Sequence, residues 1–408
     1  MTAAELDEWA ADFVQFCARF ADVFSRKEPR AQAAKYLRGL LASLPRKNGW
    51  QVAEASGDRI PDATQCLLYQ AQWSADAARD RLLQYTIEVF GDEDEVGVVA
   101  ETGFIKQGQR SVGVKRQYSG TAGKIENCQI GTLLSYTTAK GHVFLDRRLY
   151  LPEEWCSDAE RRAQAKVPKD VVFQTKPEQA MAMLAHAWQA GVPMRWVTGD
   201  EIYGEATALR DLVAGSGRWY VLAVRTTTPV WMARPQVAEP EPQQRGRPRT
   251  KMRLAEDAAP ATIVKEVVAS WPESRWQSLT VAEGEKGLNT YDWACQRIVE
   301  SRDGLPGPDA WLITLRSLSD PTDIAYYLSN APTETPLLKL AQVASTRHTV
   351  EQCIEEAKSE TGLDEYEVRY WHSWHRHITL SMMAHTWLAS VRLQATEKKG
   401  GLNPSWPS

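Results

Sequence analysis

The sequence predicts an α/β chain, a mixed sheet flanked by helices and preceded by an N-terminal helical region. Apolar residues recur at three- and four-residue steps up to about position 90. Short β-branched and aromatic runs begin abruptly at Val96. Beyond them the order is strands, helix, strand, helix, strand, which suits a sheet packed between helices.

Each element has its own signal. Leu6, Trp9, Phe13, Phe16 and Phe20 form one helical stripe, and Tyr36, Leu37, Leu40, Leu41 and Leu44 a second. Pro45 and Asn48-Gly49 punctuate the chain. A further helix is expected over 62–90, closed by Gly91 and the acidic turn Asp92 to Glu95. Val96, Val98 and Val99 read as a buried strand. Strands over 112–118, 125–136 and 142–150 follow, suggesting three sequential antiparallel strands. A helix at 177–190, a strand at 194–197 ending in Gly199-Asp200, a helix near 205–215 and a strand at 220–224 come next. Residues 234–260, rich in Pro, Gln and Arg, read as a linker. Strand-like patches return at 276–281, 311–315 and 323–328, and 335–395 is strongly helical, with a frayed tail at 396–408.

Composition narrows the function classes. The 408 residues are 43% hydrophobic and 25% charged, the balance of a soluble globular chain. A net charge of -4 means that any nucleic-acid contact must come from local basic stretches. Sixteen tryptophans supply core volume or flat surfaces for bases. Cys17, Cys66, Cys128, Cys156, Cys295 and Cys353 form no CxxC pair, which argues against a zinc ribbon and for a reducing cytosol. The acidic, amphipathic start is unlike a signal peptide. No apolar run approaches the ~20 residues of a membrane helix, so no membrane partner is expected.

Five segments could carry chemistry. From Thr102 to Ile125 the chain has Lys106, Arg110, Lys115, Arg116 and Lys124, no acid, and several glycines, a composition suited to a phosphate backbone or to a solvated hairpin. In TGDEIYGE, Asp200 stands at a strand end before a helix, either as a site carboxylate or as an N-cap. Arg347, Glu351 and Lys358 fall on one helical stripe, as a metal-binding carboxylate between phosphate-binding cations or as a salt-bridge ladder. His372, His375 and His377 lack any zinc-motif spacing and read better as a packing or DNA-touching patch. Arg245, Arg247 and Arg249 in RGRPR suit a minor-groove arm or a basic linker.

Acids at strand ends followed by a helical Glu form the layout of ribonuclease-H-like nucleases, where three carboxylates hold two divalent metals for in-line phosphoryl displacement. The sequence resembles the bacterial insertion-sequence transposases called DDE superfamily endonucleases, within them the insertion sequence 701 family, related to the insertion sequence 4 group. The resemblance is carried by ETGFIKQGQRSVGVKRQYSGTAGKIENCQIG, LYLPEEW, VTGDEIYGE, YVLAV, GRPR and the long segment from Arg347 through WHSWHRHITLSMMAHTWLA. It implies that Asp200 is the second catalytic aspartate and Glu351 the catalytic glutamate, both metal ligands, with Arg347 and Lys358 as flanking cations. It also implies a ribonuclease-H-like core with a mainly β insertion at roughly 225–335, Mg²⁺ or Mn²⁺ as cofactor, and double-stranded transposon ends and target as partners. A homodimer or higher oligomer on DNA, associated with the bacterial nucleoid in the cytoplasm, is expected. The domains follow as a helical DNA-binding region at 1–92, core at 93–225, linker and insertion at 226–335, and core helices at 336–395.

One position departs from the resemblance. Members usually carry Asp where Ala100 precedes Glu101-Thr102-Gly103-Phe104. Strand side chains alternate, so Glu101 is expected to point away. An engineered knockout, a natural inactive relative recruited for DNA binding or targeting, and rescue by Glu101 are the three explanations, and loss of the ligand implies impaired cleavage and strand transfer.

Overall fold

A computed structural model describes residues 3–238, 252–284 and 287–398. Arg245, Arg247 and Arg249 and the tail from 399 lie outside the described residues. The chain divides into two compact units, Met1–Arg195 with His348–Ser408, and Trp196–Arg347.

The first unit opens with α1 (Ala3–Ala18), α2 (Lys27–Leu41), α3 (Gly49–Ala55), α4 (Asp62–Tyr69) and α5 (Ala75–Phe90). Side chains start them where the sequence supplies acceptors. Asn48 Oδ1 accepts from Trp50 N and Gln51 N at 3.1 and 3.0 Å, and Ser74 Oγ accepts from Ala77 N at 3.1 Å. The apolar stripe of α1 and α2 is buried through Phe13, Phe16, Tyr36, Leu37 and Leu40, with Phe20 buried in the turn after α1, whereas Leu6 of the expected stripe is 52% exposed.

The sheet of this unit has β1 (Glu95–Ile105), β2 (Lys115–Ser119), β3 (Lys124–Thr138) and β4 (Gly141–Tyr150). β3 is central. β1 runs antiparallel on one side of it, and β2 then β4 pair along its other side. The expected strand at 112–118 starts only at Lys115. Gly113 sits at φ 74°, outside the strand region, and the Val112 N–H is used by Arg369 O at 3.0 Å.

α6 (Glu153–Ser157), α7 (Ala159–Gln164) and α8 (Lys176–Gln189) follow, α8 opened by a reciprocal cap between Thr175 and Glu178. At the end of the chain α13 (Arg347–Thr361) leads to α14 (Trp371–Lys398). α14 packs on α2, α5 and β4 and is buried on nearly all sides over Trp374–Thr386, so its sequence shows no single apolar stripe.

The second unit begins within β5 (Met194–Gly199), continues through α9 (Glu201–Gly204), α10 (Thr207–Gly215), β6 (Trp219–Val224) and β7 (Pro229–Trp231), and ends with α12 (Leu337–Ser345). β5 and β6 are parallel, whereas β6 pairs antiparallel with β14 (Ile324–Ser329), so its sheet is mixed. Between them lie β8 (Val237–Ala238), β9 (Arg253–Leu254), β10 (Thr262–Ile263), α11 (Val264–Ala269), β11 (Gln277–Gly284), β12 (Gly287–Arg302) and β13 (Leu305–Arg316). The segment is mainly β, as expected. The flanks of the expected linker pair with each other, Val237 opposite Leu254. β12 was not anticipated. It joins β13 through Asp303-Gly304, both at positive φ, 52° and 77°, the two-residue turn that matches strand twist.

Candidate active site

Residues directly opposite in an antiparallel pair share a face, and the face alternates along a strand. Ala100 lies opposite Leu133, Thr102 opposite Gly131, and Val96 opposite Thr137. The face bearing these residues meets α13 at two points. Thr137 Oγ1 lies 3.0 Å from Thr349 Oγ1, and Thr121 Oγ1 lies 3.1 Å from Thr102 Oγ1 and accepts from Lys358 Nζ at 3.4 Å. The half-buried methyl of Ala100 thus stands on the face toward α13, between these two contacts along β1.

Glu101 occupies the other face. It lies opposite Thr132, whose hydroxyl donates to Gln179 of α8 at 2.8 Å, and its carboxylate is ion-paired with Lys176 of the same helix. The alternation expected from the sequence is what the structure shows.

Glu351 lies on α13, one turn after His348, with its carboxylate exposed and 4.0 Å from His348 Nδ1. Lys358, seven residues on, shares its stripe, and burial lowers the ammonium's pKa below the usual lysine range. The first-unit carboxylate Glu351 and cation Lys358 therefore sit on the helix that faces Ala100's side of the sheet. Arg347, at the head of α13, is hydrogen-bonded to Tyr327 within the second unit.

Asp200 follows β5, in the second unit. Its Oδ1 accepts from Ile202 N at 2.9 Å, so it caps α9. Gly204 lets α9 close on the backbone of β6, since a Cβ there would come within 1.7 Å of Ala223 O. Glu205 accepts from Arg225 N at 2.9 Å and ties the motif to the end of β6.

The basic segment divides by environment. Lys106 turns inward: Nζ donates to Tyr366 O at 2.9 Å and lies 3.5 Å from the Tyr366 ring centroid. Burial pushes its pKa down to about 8. Lys115 pairs with Glu154 at 2.6 Å and Lys124 with Glu126 at 2.9 Å. Arg110 and Arg116 are exposed, and with Lys115 and Arg161 they line a cleft of about 500 Å³.

The late histidines each hold the protein to itself. His372 Nε2 is 3.0 Å from Tyr69 O, His375 Nδ1 is 2.9 Å from Trp371 O, and His377 bridges Tyr36 Oη and Gly362 O at 2.8 and 3.0 Å. They form a packing patch. Sequence reasoning passed over a buried charge cluster on β4. Arg147 is bound to Asp76 at 3.0 Å, Asp146 at 3.3 Å and Thr379 Oγ1 at 2.8 Å, beside a cavity of about 580 Å³ also lined by Arg148, Trp371 and His375. The run Asp146-Arg147-Arg148 in an apolar strand was the available signal.

The family model described as DDE superfamily endonuclease matches residues 19–288. A curated relative from Microchaete diplosiphon, described as a probable transposase for insertion sequence element IS701, is 26% identical over 202 residues, 48% of this chain and 50% of the relative. The chain thus spans about half the length of that relative. Among solved structures, the piggyBac transposase synaptic complex with hairpin DNA aligns with a TM-score of 0.42 at 9% identity, covering 92% of this chain and 68% of that one. The NurA nuclease from Sulfolobus solfataricus aligns at 0.23 and 9% identity, covering 82% and 94%. At these scores neither superposition bears on fold or function. No described helix is long and apolar enough to cross a membrane.

Proposed function

The chain belongs to the DDE superfamily endonucleases, and from that premise we propose that it is an insertion-element transposase that binds double-stranded element ends, with cleavage and strand transfer impaired by the methyl group at position 100. The family match over 19–288 carries the reading. The alternation of β1 supports the impairment, because the neighbouring carboxylate of Glu101 is held by Lys176 on the opposite face.

The donor set does not fit a complete two-metal centre. Such centres need three carboxylates, and the first strand offers an alkyl group on the relevant face. Asp200 and Glu351 are the remaining matched carboxylates. Oxygen ligands of this kind suit Mg²⁺ or Mn²⁺ once the third is restored. Arg110 and Arg116, together with Arg245, Arg247 and Arg249, are the side chains proposed to hold DNA phosphates, and Lys358 to steady the scissile strand. The protein works as a homodimer or larger assembly on DNA at the bacterial nucleoid.

Replacing Ala100 by Asp tests this. Both proteins are expected to bind element-end duplexes, and only A100D to cleave them with Mg²⁺. Equal cleavage by the unaltered chain overturns the impairment, and absence of end binding by either overturns the function. Ala100 also favours a second reading, a transposase-derived DNA-binding or targeting factor. That reading expects binding that persists in EDTA and no cleavage by A100D.

A further inference from the structure

The geometry points to a structural transition-metal site of the Zn²⁺ type formed by His142, Cys353 and His385, with Glu356 as fourth ligand. One ligand atom from each of the first three lies within 4.8 Å of the others. Glu356 Oε2 is 3.3 Å from His142 Nε2 and 3.6 Å from His385 Nε2, and Arg392 holds the same oxygen at 2.8 Å. The four come from three elements of one unit: His142 from the start of β4, Cys353 and Glu356 from adjacent turns of α13, and His385 from the buried middle of α14. Cys353 and His385 are 0% and 3% exposed.

The chemistry is selective. A thiolate and two imidazoles favour Zn²⁺ over Mg²⁺, and a carboxylate completes a four-coordinate shell. Bonds of about 2.0–2.3 Å place tetrahedral ligand atoms roughly 3.3–3.8 Å apart. His142 and Glu356, 18% and 21% exposed, are the less buried members and the ones free to rotate toward that spacing. Nε2 of His142 and Nε2 of His385 both face Glu356 Oε2 and are the nitrogens assigned to the ion, while His385 Nδ1, buried with no hydrogen-bond partner among the described residues, lies on the other edge of its ring. On binding, the Cys353 S–H bond breaks, a sulfur–metal bond forms, and the proton passes to solvent.

Four protein ligands leave no open position, so the ion holds structure and does no chemistry. It staples α13, which carries Glu351 and Lys358, to β4 and α14. This site is separate from the carboxylates proposed for DNA cleavage, and its test does not depend on activity.

The experiment uses the full chain, stripped with chelator and titrated with Co²⁺ and then Zn²⁺ in excess Mg²⁺. One Co²⁺ per chain is expected, with a near-ultraviolet thiolate-to-cobalt band and strong tetrahedral visible bands, both abolished by Zn²⁺. C353S is expected to lose the thiolate band and bind Zn²⁺ at least about 100-fold more weakly. H385Q is expected to lose the tetrahedral visible bands. A weak octahedral spectrum without the thiolate band in the unaltered chain overturns the site, whatever the variants do. Unchanged Zn²⁺ affinity in folded C353S also overturns it.

Discussion

Glu101 is ion-paired with Lys176 on the side of β1 turned toward α8, while Ala100, one residue earlier, faces the side toward α13. A one-residue step along a strand reverses the side chain, so Glu101 cannot reach the face of Ala100 without breaking the register with β3. Its pair is only 13% and 20% exposed. Removing one partner leaves a poorly solvated lysine, which costs about 1–3 kcal/mol. In an A100D background, E101Q is therefore expected to cleave end DNA within about twofold of its parent rate yet unfold at lower urea. A large loss of cleavage with unchanged stability would instead put Glu101 among the metal ligands.

The cations of the Thr102 to Ile125 segment separate in the same physical way. Arg110 and Arg116 project to solvent, whereas Lys106 is spent on the Tyr366 carbonyl and ring. Each phosphate contact contributes about 0.9 to the slope of log affinity against log salt. R110A and R116A are each expected to flatten the slope by about that amount, and K106M to leave it unchanged while lowering stability. Filter binding of element-end duplexes at several salt concentrations reads the slopes. A flattened slope in K106M would show that Lys106 turns outward on DNA.

Much of this arrangement was legible in the sequence because it rests on local rules. The β-branched run at Val96 and the strand end at Gly199-Asp200 follow from short apolar runs, and the turn of Glu101 away from Ala100 from the two-residue period of a strand. Asp200 as an N-cap was equally visible. What escaped depended on partners distant in sequence. The polar, mixed pattern of β12 hides a strand between two neighbours, although Asp303-Gly304 announced its hairpin. Lys106 looked like a phosphate ligand because nothing near it reveals Tyr366, 260 residues away. His142, Cys353 and His385 are scattered over three elements with no motif spacing, so only the packing of α13 and α14 brings them together.

His377 gives the fold a defined acid sensitivity. Its ring is 0% exposed and bridges Tyr36 Oη and Gly362 O, and burial pushes its pKa down to about 4. The unfolded chain, with a histidine near 6.5, takes up the proton first as pH falls. Between about pH 6.5 and 4 the unfolded state therefore binds more protons, and native stability drops with pH through that window. Above it both states are neutral at this ring and the contribution is constant. The rate is at most about 1.4 kcal/mol per pH unit for one such group. His375, pushed down to about 3 mainly by burial, adds to the same trend. H377Q is expected to be less stable than the parent at neutral pH, because it disturbs the Tyr36 and Gly362 hydrogen bonds. Yet it is expected to lose about 1 kcal/mol less than the parent between pH 6 and 5, a range above the titration of ordinary carboxylates. Urea unfolding at the two pH values measures the difference, and equal losses in the two proteins would mean that His377 is not held neutral in the fold.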